Sequence, residues 1–154
     1  MTTYMDEIAR IVDKPVSIKR KKTLAGSTFY SIDALKEAIQ PCVAHFNLQQ
    51  LPGCCGICVS FYAYVFDEYR KRGLGNLLNK MRQQIAWDSL YTILLCTDVE
   101  KNTPQQKILT KNGWEKLLTF KNRNTDNMVC LHTIELKDTG MKIDADNVDL
   151  HVTK

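Results

Sequence analysis

The stretch Val65-Phe66-Asp67-Glu68-Tyr69-Arg70-Lys71-Arg72-Gly73-Leu74-Gly75-Asn76 joins two unlike patterns. Before it, Gly56 to Phe66 is an apolar, strand-like run; after it, Leu74, Leu77, Leu78, Met81 and Ile85 recur at helical spacing. The local order is strand, glycine-rich turn, helix N-terminus. Such a turn suits an anion. The first amides of a helix have no partner within it, the helix dipole favours negative charge, and glycine lets a ligand approach the main chain. Arg70, Lys71 and Arg72 add three cationic side chains at the same place, so the turn suits a pyrophosphate. Two other phosphate loops are excluded. A Walker loop needs Gly-Lys-Ser/Thr where this chain has Gly75-Asn76-Leu77, and a dinucleotide fingerprint needs three glycines in G-x-G-x-x-G spacing.

Written as Arg70-x-x-Gly73-x-Gly75, the turn resembles the R/Q-x-x-G-x-G/A turn of the GNAT superfamily of acetyl-CoA-dependent N-acetyltransferases. There it follows the fourth strand and holds the coenzyme A pyrophosphate through main-chain amides. A second segment, Asn102 to Trp114, is similar to the family's N-x-x-A-x-x-L-Y-x-K-x-G-F segment, with Asn102, Lys111, Gly113 and the aromatic Trp114 matching. The resemblance runs from about Cys42 to Leu136 and fits the residues before Cys42 only loosely. It implies an α/β fold of GNAT-like type: a mixed, mostly antiparallel sheet with splayed central strands, flanked by helices.

The resemblance also implies a site. The main chain of Ala63, Tyr64 and Val65 would pair with the pantetheine arm of acetyl-CoA, the turn Arg70, Lys71, Arg72, Gly73, Leu74, Gly75 and Asn76 would hold the pyrophosphate, and Asn102 would contact the coenzyme from the other side of the splayed strands. Acetyl transfer needs a deprotonated amine, a polarised thioester carbonyl and a proton for the departing thiolate. Many family members supply that proton from a tyrosine whose position here is Leu109, and leucine cannot donate one. Asp98, Tyr64 and Glu100 are the catalytic candidates, with Tyr62, His45 or ordered water as replacements. The implied function is transfer of an acetyl group from acetyl-CoA to a primary amine by direct transfer. The alternatives are a coenzyme-binding regulatory module with reduced turnover, motivated by Leu109, and an acyl-CoA-dependent modifier of nucleic acid. The acceptor, whether a protein lysine, an N-terminus or a small molecule, is left open, as is a homodimer.

A chain of 154 residues has the size of one domain, and 44% hydrophobic with 25% charged residues is a globular composition. No apolar run is long enough to cross a bilayer, and Met1 to Arg10 has no hydrophobic signal core, so a cytoplasmic protein without membrane contact is expected. Under that expectation the six cysteines are reduced. Cys55-x-x-Cys58 is half a zinc pattern with no second pair, and no metal is expected. The net charge of +4 includes Lys19-Arg20-Lys21-Lys22, a solvated face by default and a nucleic-acid contact in the alternative, although no aromatic residue is interleaved with it.

Taken in order, Tyr4, Met5, Ile8, Ala9 and Val12 predict an amphipathic helix ended by Asp13-Lys14-Pro15. The basic run reads as a loop or an edge strand, and Ser31 as the cap of a second helix running to about Ile39. Cys42 to Leu48 and Cys54 to Phe66 read as strands around Leu51-Pro52-Gly53. On the second, Ile57, Val59, Phe61, Ala63 and Val65 face one way, with Cys58, Ser60, Tyr62, Tyr64 and Phe66 facing the other, both sides buried. A helix from about Arg72 to Trp87 leads to a buried parallel strand at Tyr91 to Thr97. A short helix starts at Pro104 and ends before Gly113, and a hairpin of Trp114 to Phe120 with Met128 to Leu136 closes a domain spanning 1–137. Residues 138–154 read as a polar, frayed tail.

Overall fold

The computed structural model describes residues 2–35 and 41–145. Among them, seven strands form one sheet: β1 (Val16–Lys22), β2 (Thr28–Ala34), β3 (Cys42–Gln50), β4 (Ile57–Val65), β5 (Ile93–Val99), β6 (Glu115–Lys121) and β7 (Met128–Glu135). The helices are α1 (Tyr4–Val12), α2 (Leu74–Asp88) and α3 (Thr103–Lys111). The spatial order is β1-β2-β3-β4-β5-β7-β6, antiparallel at every step except the parallel pair β4 and β5, which α2 connects. None of the described helices is long and apolar enough to cross a membrane.

Helix α1 forms where its periodicity places it, started by a capping box: Asp6 N–H donates to Thr3 Oγ1 at 3.1 Å while Thr3 N–H donates to Asp6 Oδ2 at 2.9 Å. Its buried face, Tyr4, Met5, Ile8 and Val12, joins Tyr30, Ile32 and Phe46 of the sheet and Met81 and Ile85 of α2 in one core. Each such side chain contributes roughly 1.5–3 kcal/mol by leaving water.

The second helix expected from Ser31 is instead strand β2, with Ser31 opposite Lys19 on one side and His45 on the other. Tyr30, Ile32 and Ala34 are buried while Phe29, Ser31 and Asp33 are half-buried, a period of two that outweighs the cap signal. A turn closed by Thr23 N–H to Ser27 O at 2.9 Å joins β2 to β1, so the basic run is an edge strand. The remainder of that expected helix, residues 36–39, lies outside the described residues.

Strand β4 begins at Ile57, leaving Cys54 and Cys55 in the preceding turn, and its two faces do not alternate as expected. Asn47 pairs with Phe61 but His45 pairs with Tyr64, so β4 carries one extra residue between them. Tyr62 takes φ 54 within this bulge. Since His45 and Asn47 share a face of β3, Tyr64 comes to lie on the side of Phe61 and not on that of Cys58 and Ser60. The end of the strand is also not buried on both faces, because Tyr62, Ala63 and Tyr64 are exposed.

The tail is ordered further than expected. Tyr4 and Met5, whose amides open α1 without a helical partner, donate to the carbonyls of Lys142 and Ile143 at 2.8 and 2.9 Å. Thr139 donates through N–H and Oγ1 to Gln84 Oε1 of α2 and accepts from the Tyr4 hydroxyl. Ile143 is fully buried, so the chain up to that residue packs on the core. Residues 146–154 lie outside the described residues.

Candidate active site

Parallel pairing of β4 with β5 runs only from Ile57↔Ile93 to Ser60↔Cys96. Beyond that pair β4 continues along β3 to Val65 and β5 continues along β7 to Val99, so the two central strands part. The exposed residues Tyr62, Ala63 and Tyr64 border the opening on the β4 side.

At the end of β4 a single 3-10 turn, Asp67–Tyr69, drops the buried Tyr69 ring into the core and delivers the chain to α2. Gly73 is the N-cap of α2 at φ 85 and offers no capping side chain, so the first amides of the helix have no side-chain acceptor at the cap. A Cβ on Gly73 would meet nothing within 4 Å, which leaves this side of the turn open to a ligand. Gly75 has a different reason: a Cβ there would stand 3.0 Å from Ile108 Cδ1, so glycine sets how closely α2 meets α3. Leu74 is buried, and Asn76 Oδ1 accepts from Asn112 Nδ2 at 2.6 Å, so these two side chains belong to the helix packing and only their amides face the turn's chemistry.

The basic residues divide similarly. Arg70 donates from Nε to Val65 O at 2.7 Å, pairs with Asp67 Oδ1 at 2.8 Å and lies 4.7 Å from the centroid of the Tyr64 ring, which ties it to the end of β4. Lys71 and Arg72 are exposed, with the Arg72 guanidinium 5.9 Å from the centroid of the Tyr69 ring. Asn102 is the N-cap of α3, accepting from Gln105 N–H at 3.3 Å.

The three catalytic candidates are not brought together. Asp98 lies on the helix-covered side of β5 with Leu94 and Cys96, buried against His132, whose Nε2 is 2.8 Å from Asp98 Oδ1. Tyr64 lies on the opposite side of the sheet, in a cluster of Phe29, His45 and Phe66. Glu100 is exposed beyond β5, its main chain bonded to Met128 and Gln106. Leu109, at the position of the family's tyrosine, is 1% exposed and packs in the core. Among the alternatives, His45 places Nδ1 3.1 Å from the carbonyl oxygen of Tyr62 in the bulge. His132 carries no local signal in the sequence, because its partner is 34 residues away on another strand.

No protein-family model and no curated protein matches this sequence. Solved structures do. A GNAT family acetyltransferase from Elizabethkingia anophelis with acetyl-CoA bound superposes with a TM-score of 0.66 at 15% identity, over 79% of this chain and 98% of that one. A Bacillus subtilis acetyltransferase in complex with CoA gives 0.63 at 10% identity, over 79% and 98%. Spermidine N-acetyltransferase from Vibrio cholerae, in complex with CoA and spermine, gives 0.61 at 9% identity, over 72% and 66%. At such identities the likeness is one of architecture, shared along nearly the whole length of the first two. Strand order, the parting of β4 and β5 and the turn into α2 together give this chain the fold of the GNAT acetyltransferases.

Proposed function

We propose that this protein moves an acetyl group from acetyl-CoA to a primary amine. The observation that carries the reading is the opening beyond Ser60↔Cys96, with an uncapped helix start just past the end of β4. A thioester laid along Ala63, Tyr64 and Val65 would pair with exposed strand main chain, and its pyrophosphate would meet the amides from Gly73 to Asn76 beside Lys71 and Arg72, with Asn102 across the opening. Arg70 serves indirectly by fixing the end of β4. That solved relatives by fold bind CoA or acetyl-CoA supports this assignment.

The amine nitrogen attacks the thioester carbonyl, the tetrahedral intermediate collapses, and the thiolate leaves. Hydrogen bonds from the β4 main chain stabilise the oxygen as its charge grows. Asp98 is engaged with His132, so His45 takes the amine proton, directly or through water, with Tyr64 packed against its ring. A thiolate departs without an acid, which is why Leu109 does not forbid turnover. The same Leu109 favours the second reading, a coenzyme-binding module with little turnover.

Calorimetric titration with acetyl-CoA and with CoA tests the reading, alongside a Gly73→Asp variant that sets a carboxylate in the open side of the turn. Binding lost in the variant supports it; absence of binding by the parent protein to either ligand sinks it. Thiol release with a panel of lysine peptides, N-terminal peptides and polyamines then separates the enzyme from the silent module. Binding without release by any amine selects the module.

A further inference from the structure

We propose that Asp98, Cys130 and His132 form a zinc site that clips β5 to β7. Asp98 and Cys130 are direct cross-strand partners, and His132, two residues along β7, pairs with Cys96 two residues back along β5. All three side chains therefore project from the same, helix-covered side of the sheet. Their ligand atoms lie within 4.8 Å of one another, at 9%, 0% and 5% exposure.

The arrangement leaves a polar atom without a function. Asp98 Oδ1 accepts from His132 Nε2, while Asp98 Oδ2 is buried with no hydrogen-bond partner. An orphaned buried acceptor costs roughly 1–3 kcal/mol. Among the described residues, the buried Arg82 on this side donates to Ser60 Oγ at 2.8 Å and has no hydrogen bond to Asp98. A divalent cation accounts for the orphan. Thiolate, carboxylate and neutral imidazole around Zn²⁺ sum to zero charge, which a buried site needs, and the thiol proton of Cys130 leaves to solvent on binding. Mixed sulfur, nitrogen and oxygen donors select zinc over magnesium or calcium, which take oxygen ligands. Three protein ligands leave a fourth tetrahedral position for water, and Thr119 Oγ1 lies 3.6 Å from Cys130 Sγ, within hydrogen-bond reach of the sulfur.

The place gives the ion a task. Asp98 lies two residues beyond the last pairing of β5 with β4, where β5 is held in the sheet by β7 alone. A metal bridging β5 and β7 there would stiffen one wall of the opening. An alternative use of the cluster, with Cys130 as a nucleophile, is disfavoured because the sulfur is fully buried, with Gln106 of α3 reaching to 4.0 Å from it. The inference does not depend on acetyl transfer, and its test uses no coenzyme.

The full chain is stripped with a chelator, and Co²⁺ and then Zn²⁺ are titrated in. The expected result is one Co²⁺ per chain with a near-ultraviolet thiolate-to-cobalt band, displaced by Zn²⁺, and a higher melting temperature with zinc. Cys130→Ser should abolish the band, His132→Gln should weaken binding at least ~10-fold, and Cys55→Ser, in the exposed turn, should change neither. Circular dichroism confirms that each variant is folded. The parent protein alone decides the case if a variant does not fold: absence of both the cobalt band and the zinc-dependent melting shift overturns the proposal. So does a band that survives Cys130→Ser or vanishes in Cys55→Ser.

Discussion

His45 Nδ1 stands 3.1 Å from the carbonyl oxygen of Tyr62, the residue at positive φ in the β4 bulge. A carbonyl can only accept, so Nδ1 must carry the hydrogen and Nε2 of the neutral ring must carry the lone pair. Under the proposed function, that lone pair is the one that takes the amine proton. Replacement by glutamine should lower kcat by about 10²-fold or more with the KM for acetyl-CoA unchanged, measured on the first amine found to be accepted. Nitrogen NMR of the free protein should show the Nδ1–H tautomer, and an Nε2–H tautomer would remove the argument.

The two glycines of the turn should fail differently. Gly73→Ala forces a Cβ into the left-handed region and should cost about 1 kcal/mol of stability in denaturant titration together with a loss of coenzyme affinity. Gly75→Ala gains helix propensity but presses on Ile108 Cδ1. It should therefore be better tolerated in an Ile108→Val background than in the parent. Equal effects in both backgrounds would mean that the contact does not limit the approach of α2 to α3.

Burial pushes the Cys58 and Cys96 thiols up from 9.0 to about 12, Arg82 opposing the rise at Cys96. Both stay protonated in the folded chain at a pH where the unfolded chain releases their protons. Their contribution to stability is complete below pH 9 and is lost as the pH climbs from 9 toward 12. Melting temperatures across that interval should fall less steeply in the Cys58→Ala, Cys96→Ala double variant. At neutral pH, iodoacetamide should label the exposed Cys55 in the native state and reach Cys58, Cys96 and Cys130 only on unfolding.

Ile143→Ala should destabilise the fold by about 2–4 kcal/mol, the range for emptying a fully buried aliphatic position. Truncation after Lys137 should cost at least as much, since it also removes the partners of Tyr4, Met5 and Gln84. Unchanged stability of the truncated chain would mean that these contacts do not persist in solution.

Leu109→Tyr, which restores the family's residue, should not raise any acetyl transfer. At 1% exposure the added hydroxyl meets the core, and the variant should lose about 1–3 kcal/mol of stability. Increased turnover would show that α3 can turn this position toward the opening.

What the sequence determined by itself were features encoded within one element or one turn. The apolar period of α1, Pro104 at the start of α3, the Arg70 to Asn76 turn and the apolar run of β5 each act over neighbouring residues, so they are legible without knowing what they pack against. The chain between Thr28 and Ala34 was not, because Ser31 signals a helix cap locally while the strand is imposed by β1 and β3 on either side. Only the tertiary structure decided the rest. One extra residue in β4 turned Tyr64 toward His45 and Phe29, and pairing of β5 with β7 brought Asp98 to Cys130 and His132. The same folding brought the Ile143 carbonyl to the first turn of α1. Strand register and long-range burial are settled by partners distant in the chain, and no local periodicity records which partner that will be.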